Sequence, residues 1–158
     1  MSVKPIPDGY HSVTPYLIVD DGAAALDFYQ KAFSASEMFR MQGPDGKIAH
    51  AEIKIGDSPI MLADEYPDMQ ALSPKTLNGT AIGICLYVED CDAMFDRAVA
   101  AGATVMKPLT DEFYGDRSGT VADPFGHKWT ISTHKEDLTP EDIEQRASEW
   151  MSQQECAG

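Results

Sequence analysis

The stretch AHAEIKI, residues 49–55, places His50 and Glu52 two positions apart in a segment of alternating apolar residues. Side chains two apart on a strand point to the same face and can interact. A carboxylate beside an imidazole can orient the ring or stabilise its charged form, so the pair is a candidate for acid–base catalysis. The alternative is a pocket-lining or structural histidine that a neighbouring strand satisfies, and the residues leave both readings open.

Arg117 is a further candidate. Its guanidinium could hold a carboxylate or phosphate group of a ligand through two parallel hydrogen bonds. In a chain with 12 basic and 26 acidic residues, an ion pair with Asp111, Asp116 or Glu52 is an equal alternative. The sequence therefore offers Arg117 for ligand binding without deciding between these roles.

Two acidic residues and a second histidine stand next to turns. Asp64 and Glu65 end a predicted strand before the segment YPDMQALSPKTLNG, so they are candidate metal ligands or solvated side chains at a strand end. His127 follows the turn residues DPFG at 123–126. We expect His127 at the rim of the sheet, where it forms a hydrogen bond with backbone rather than with a ligand.

An internal repeat positions these residues. The motif Val19-Asp20-Asp21 recurs as Val88-Glu89-Asp90, an offset of 69 residues, and the helical patterns that follow then coincide. Each half predicts the order β-α-β-β-β. Strands are expected at 13–21, 36–41, 47–55 and 59–65 around a helix at 22–33, and at 80–90, 103–109, 116–123 and 128–134 around a helix at 91–102.

The repeat predicts an α+β fold in which two tandem βαβββ modules form a curved mixed sheet. The helices should cover its convex face and leave a concave cup for a ligand. We expect one domain over residues 1–158, with module 1 at about 12–66 and module 2 at about 80–134. A C-terminal helix at about 139–154 stands outside the repeat, and its apolar stripe should pack against this chain or a second subunit: Ile143, Ala147, Trp150 and Met151.

Strand alternation assigns side chains to the two faces of the sheet. The helix side should receive Ala49, Ala51, Ile53, Ile55, Trp129 and Ile131. The expected cup lining is Thr14, Tyr16, His50, Glu52, Gly83, Cys85, Tyr87, Arg117, Thr130 and Ser132. The ligand-binding candidates among them are Tyr16, His50, Glu52, Cys85, Tyr87, Arg117, Thr130 and Ser132, and the catalytic candidates are His50 and Glu52.

Composition limits the partners. A formal charge of −14 disfavours nucleic acids and anionic membrane surfaces. The cysteines Cys85, Cys91 and Cys156 are odd in number and lack CxxC spacing, so they predict neither a disulfide framework nor a zinc knuckle. No stretch has the length of a membrane span, and the first residues lack the apolar core of a secretory signal, so the expected location is the cytoplasm.

Three longer segments together resemble the vicinal-oxygen-chelate superfamily, which includes glyoxalase I, the bleomycin and fosfomycin resistance proteins and the extradiol dioxygenases. The segments are LIVDDGAAALDFYQKAF, HAEIKIGDSPIMLADE and GDRSGTVADPFGHKWTIST, and the resemblance covers roughly residues 12–134. Within the superfamily the chain is most similar to the PhnB-like group. The resemblance implies paired βαβββ modules, a small-molecule ligand and a homodimer.

Metal-dependent members of the superfamily place four ligands, usually histidine and glutamate, on the cup. The resemblance aligns these positions with Thr14, a position near Met61 to Ala63, Gly83 and Thr130. None is a good ligand for a divalent metal ion. We therefore expect no cofactor and no metal site of the usual kind.

Three functions remain open. The first is a protein that binds a small organic molecule in the cup without a metal ion. The second is a metal-dependent lyase, isomerase or dioxygenase that uses non-standard ligands such as His50, Glu52 and Asp64. The third is an interaction module that docks a partner through the C-terminal apolar stripe. The missing ligands favour the first function.

Overall fold

The structure, a computed structural model, describes residues 3–155 and contains two β-α-β-β-β modules followed by a C-terminal helix. Module 1 comprises β1 (Tyr16–Val19), α1 (Gly22–Phe33), β2 (Ser36–Gln42), β3 (Ile48–Ile55) and β4 (Ser58–Asp64). A 3-10 helix (Pro67–Met69) and α2 (Pro74–Leu77) connect it to module 2. Module 2 comprises β5 (Gly83–Tyr87), α3 (Cys91–Ala101), β6 (Thr104–Asp111), β7 (Asp116–Ala122) and β8 (Lys128–His134), and α4 (Pro140–Glu155) follows.

Each module forms its own four-stranded mixed sheet. The strand orders are β1-β4-β3-β2 and β5-β8-β7-β6, with the first strand of each module parallel to the fourth. The predicted α+β class, the tandem βαβββ modules and the C-terminal helix are confirmed. Hydrogen bonding divides the strands into two sheets in place of one continuous sheet.

The repeat is visible in the helix caps. Asp21 and Asp90, which are 69 residues apart, both precede a helix in extended conformation. The carboxylate of Asp21 accepts a hydrogen bond from the Ala24 amide at 2.9 Å, and that of Asp90 accepts one from the Ala93 amide at 3.0 Å. These carboxylates satisfy amides that a helix start leaves without partners.

Aromatic side chains join the two modules into one core. Tyr29 and Phe33 of α1 lie against Trp129 of β8, with ring centroids 5.5 and 4.6 Å apart. All three side chains are buried, and α1 also packs against α3. Trp129 therefore faces the helices, as the alternation of β8 predicts.

The DPFG turn is organised by a buried carboxylate, Asp123. One oxygen accepts hydrogen bonds from the amides of Phe125 and His127, each at 2.9 Å. The other accepts the Tyr29 hydroxyl at 2.7 Å and the Trp129 indole N–H at 2.9 Å. The turn motif thus fastens α1 to β8, which is a structural role.

The strand predictions fail locally in two places. Val13 was expected in the first strand with Leu17 and Val19, but β1 begins at Tyr16 and Val13 is exposed. Ala49 was expected on the helix side, but the pairing of β2 with β3 shifts register near Ile48, so Ile48 is buried instead. Such a bulge adds one residue to a strand and reverses the alternation beyond it.

Within residues 3–155, no helix is long and apolar enough to span a membrane. In the same range, Cys85 and Cys91 are free thiols. Cys156 lies outside the described residues.

Candidate functional site

The two sheets each have one face covered by α1 or α3, and we call the opposite face the open face. On module 1, four side chains lie next to each other on the open face, because Glu52 pairs with Phe39 on one side and with Met61 on the other, and Met61 pairs with Tyr16. Met41 pairs with His50 in the same way. Phe39 and Met41 are about half exposed, so this face offers apolar surface around two polar groups.

Four polar side chains of this face form one chain of hydrogen bonds. The Tyr16 hydroxyl lies 2.8 Å from His50 Nδ1, and His50 Nε2 lies 3.1 Å from one oxygen of Glu52. The other Glu52 oxygen accepts a hydrogen bond from the hydroxyl of Tyr10, which precedes β1. The sequence-predicted residues Tyr16, His50 and Glu52 are therefore brought together, and Tyr10 joins them.

The partners of Glu52 and Tyr16 determine their protonation. Hydrogen bonds from Tyr10 and His50 lower the pKa of Glu52, so its carboxylate is ionised at neutral pH. Burial and the Glu52 charge raise the pKa of Tyr16, so its hydroxyl keeps its proton. In the tautomer with its proton on Nε2, His50 accepts the Tyr16 hydroxyl at Nδ1 and donates to Glu52.

A cavity of about 500 Å³ lies beside this network. Glu52, Met61 and Thr14 form one part of its wall. The preceding segment forms the rest: Pro5, Ile6, Pro7, Tyr10, His11 and Ser12. A volume of about 300–1,000 Å³ is typical of small-molecule sites, and the part of this wall formed by residues 3–155 combines apolar residues with a few polar groups, among which Glu52 is the only carboxylate.

The open face of module 2 carries its own polar cluster. Tyr87 donates to Asp116 at 2.6 Å, and His134 Nδ1 lies 2.7 Å from the second Asp116 oxygen. The Asp116 carboxylate raises the pKa of Tyr87 to about 12. His134 Nε2 also contacts Asp137 at 2.9 Å, which ties the end of β8 to the segment that leads into α4.

The remaining module 2 candidates have partners within the sheet. Cys85 Sγ lies 3.8 Å from the Ser132 hydroxyl, and Thr130 shares a hydrogen bond of 3.0 Å with Thr120. Cys85 is exposed, whereas Ser132 is only 2% exposed. Ser132 therefore lacks the accessible surface expected of a ligand-binding residue.

Arg117 was expected in the cup, and the structure corrects this. It pairs across the strands with Thr133, whose hydroxyl accepts a hydrogen bond from the Cys91 amide at the start of α3. Both side chains therefore lie on the helix side. Arg117 holds the Asp92 carboxylate through two hydrogen bonds of 2.8 Å and contacts Asp111 at 3.2 Å, so it is an ion-pair residue.

Asp64 and Glu65 are engaged in holding the chain. The two oxygens of buried Asp64 accept the amides of Gly22 at 2.8 Å and Ile48 at 2.6 Å. Glu65 accepts the Ser73 amide at 2.8 Å and the Thr76 hydroxyl, which fixes the segment around α2. Neither carboxylate is the solvated strand end or the free metal ligand that the sequence suggested.

The positions that hold metal ions in metal-dependent relatives do not fit that role here. Gly83, Thr130 and the three residues from Met61 to Ala63 carry neither imidazole nor carboxylate, and Thr14 lies before β1. Across residues 3–155, histidine, cysteine and acidic side chains form no group of three that could hold a metal ion. The donor chemistry therefore disagrees with the usual metal site of the fold.

His127 lies at the rim of the sheet beside the turn. Its Nε2 atom is 2.9 Å from the backbone oxygen of Ile18, and Gly126 before it adopts a φ of 92° that favours glycine. The contact with backbone agrees with the expectation for this histidine.

Sequence reasoning missed Tyr10 and the cluster of Asp116 with His134. Tyr10 lies in a segment without a strand or helix pattern, so alternation carried no information about it. Asp116 shares the face of Ser118, and the regular alternation of β7 is the signal in the sequence that places it there.

Comparison with known proteins identifies the family. The sequence model of the Glyoxalase/Bleomycin resistance protein/Dioxygenase superfamily matches residues 9–131. The chain therefore belongs to this superfamily, and the resemblance of its motifs is confirmed.

Similar proteins agree with this assignment. An uncharacterized protein from Mycobacterium bovis is 46% identical over 136 residues, which cover 84% of this chain and 90% of that protein. The structure of TioX from Micromonospora sp. ML1 matches with a TM-score of 0.62 and 28% identity, covering 78% of this chain and 98% of TioX. A PhnB protein from Bacillus cereus matches with a TM-score of 0.60 and 17% identity, covering 78% and 99%, which shows a shared fold alone.

Proposed function

We propose that this protein binds a small organic molecule on the open face of module 1 and does so without a metal ion. The observation that carries the proposal is the hydrogen-bonded chain from Tyr16 through His50 to Glu52, which stands beside a cavity of about 500 Å³. An ionised carboxylate in a mostly apolar wall gives a ligand one strong polar anchor.

The apolar surroundings favour a flat or partly hydrophobic ligand. Phe39, Met41 and Met61 border the polar pair, and the Phe39 ring lies 6.2 Å from the His50 ring. Methionine side chains adapt to ligands of different shape, and aromatic rings prefer offset or edge contacts. These side chains can therefore contribute contact area while Glu52 and His50 fix the orientation.

The metal-dependent alternative has less support from the residues. It needed Asp64 as a substitute ligand with His50 and Glu52, but two backbone amides occupy both Asp64 oxygens. A metal ion would have to compete with these buried hydrogen bonds, which hold α1 and β3 in place. Binding without metal requires no such rearrangement.

A fragment screen tests the proposal. The full chain, labelled with 15N, is titrated with a panel of small aromatic and aliphatic acids, alcohols and amines. We expect shifts of amide signals around His50, Glu52 and Met61, and weaker binding by Glu52→Gln. The matched control is Glu37→Gln, on the outer strand β2, where Glu37 pairs with Arg40. Ligands that shift only module 2 signals would contradict the proposal.

Metal analysis of untagged, freshly purified protein tests the metal-independent part. We expect no stoichiometric zinc, nickel or iron, and no turnover of a methylglyoxal–thiol adduct after metal addition. Stoichiometric metal together with turnover that His50→Ala removes would establish the metal-dependent alternative instead.

A further inference from the structure

The segment before β1, residues 3–15, crosses the open face of module 1, and we call it the N-terminal arm. Most of its residues are exposed, and Tyr10 is half-buried against the sheet. Two internal contacts shape it: Lys4 pairs with Asp8 at 2.6 Å, and the Tyr10 amide donates to Pro7 at 3.1 Å. The arm is thus a local structure laid over the proposed binding face.

One side-chain hydrogen bond joins this arm to the sheet. Within the described residues 3–15, the hydroxyl of Tyr10 donates to Glu52, and the one other hydrogen bond between the arm and module 1 runs from the Met61 amide to the backbone oxygen of Pro15, at 3.0 Å, where the arm enters β1. The hydrogen bond raises the pKa of Tyr10 to about 12, so the group on Glu52 is a neutral phenol at physiological pH. The other Glu52 oxygen remains hydrogen-bonded to His50.

We propose that Tyr10 is an intramolecular occupant of the ligand position at Glu52, and that the ligand is a hydroxyaromatic molecule whose phenol group displaces it. The inference rests on the proposed function, because it names the ligand class and the control of the same face. The chain itself shows what Glu52 accepts there, namely one hydroxyl carried on an aromatic ring.

The contacts left after the Tyr10 ring moves off Glu52 suit such a ligand. Glu52 presents one free anionic oxygen, while its hydrogen bond with His50 fixes the carboxylate in place. Met61 and Phe39 flank Glu52 on neighbouring strands and can contact the faces or edges of a ring. A phenol can therefore make the charge-assisted hydrogen bond that Tyr10 makes, and its ring can add contacts with Met61 and Phe39.

Occupation by Tyr10 should weaken binding of an external phenol. A ligand that binds only the open state loses apparent affinity in proportion to the fraction of chains that are open. Phenylalanine at position 10 keeps the ring but cannot donate to Glu52, so this ring should leave Glu52 more often while the rest of the cavity wall stays in place. Since the lost hydrogen bond is to a charged group, we expect tighter phenol binding by roughly ten-fold or more.

The experiment uses p-cresol, the side-chain analogue of tyrosine, as the probe and toluene as the probe without a hydroxyl. Dissociation constants are measured by calorimetry and by amide shifts for the full chain, Tyr10→Phe, Glu52→Gln and the double variant. Tyr114→Phe, at an exposed tyrosine of module 2, is the matched control. We expect p-cresol to bind Tyr10→Phe about ten-fold more tightly than the unmodified chain, Glu52→Gln to abolish the gain, and toluene to show none.

The other outcomes separate this inference from the proposed function. Equal p-cresol affinity of the chain and Tyr10→Phe, with weakening by Glu52→Gln, overturns the displacement and leaves the binding face intact. If p-cresol binds no variant but a fragment from the screen binds in a way that requires Glu52, the ligand class alone is overturned. Failure of every fragment and of p-cresol overturns both proposals.

Discussion

At the residue scale, His50 and His127 differ in what their rings contact. His50 links Tyr16 to Glu52 on the open face, whereas His127 contacts the backbone oxygen of Ile18. We expect His50→Ala to weaken ligand binding about ten-fold, since it leaves Tyr16 without its acceptor and removes the partner that orients one oxygen of Glu52.

His127→Ala is the control, and it should change the dissociation constant by less than about two-fold, because a rim contact with backbone carries no ligand group. Both variants are titrated by calorimetry at one pH with a ligand from the fragment screen, and circular dichroism checks that each is folded. Loss of binding in His127→Ala alone would show that the binding face is assigned to the wrong part of the sheet.

Asp123 carries the second prediction at this scale. Its carboxylate satisfies the buried Tyr29 hydroxyl and Trp129 indole as well as two turn amides. Asp123→Ala leaves both buried donors unpaired, each at a cost of about 1–3 kcal/mol, so we expect a loss of at least about 2 kcal/mol in the free energy of unfolding.

The control is Asp21→Ala, which removes an exposed helix cap and should cost about 1 kcal/mol. Urea unfolding followed by circular dichroism measures both variants. An equal loss in the two would mean that the turn does not depend on its buried carboxylate.

At the element scale, the repeat was readable from sequence because both modules keep the same order of alternating and helical patterns. Individual side chains were less predictable where an element departs from regular geometry. The bulge in β3 moves Ala49 off the helix side, so alternation assigns faces only within an unbroken strand. Arg117 is a different case, because β7 is regular and its alternation places Asp116 and Ser118 on the open face and Arg117 on the helix side. A residue type with useful chemistry does not determine the face on which it lies.

The junction of β8 and α4 should respond to pH through His134. Asp116 and Asp137 raise the pKa of His134 above its ordinary value. The folded protein therefore favours the protonated ring. This preference stabilises the folded protein in full at pH values below the ordinary histidine pKa, and the stabilisation is lost as pH rises through the folded-state pKa of His134.

An NMR titration of the His134 ring protons should therefore give a midpoint above that of a histidine peptide. Asp137→Asn should lower the midpoint, because one of the two carboxylate partners is removed. A midpoint at or below the peptide value would show that these carboxylates do not hold the imidazolium.

At the scale of the whole molecule, exposed apolar surface leads us to expect a second subunit. The open faces and α4 expose large hydrophobic side chains, among them Phe39, Met41, Tyr87, Trp150 and Met151. Trp150 lies 5.7 Å from the Phe113 ring, while Met151 is 55% exposed. Surface of this kind is typical of interfaces between identical subunits.

We therefore expect a homodimer at micromolar concentration, with a mass by light scattering twice that of one chain. The formal charge of −14 opposes association, so the dimer should strengthen as added salt screens the repulsion between subunits. Met151→Glu should weaken the dimer at least about ten-fold, because it places a charge in an apolar contact. Gln153→Glu adds the same charge on the same helix and should have a much smaller effect. A monomer at micromolar concentration in both low and high salt would overturn the dimer and leave the apolar stripe of α4 without a role.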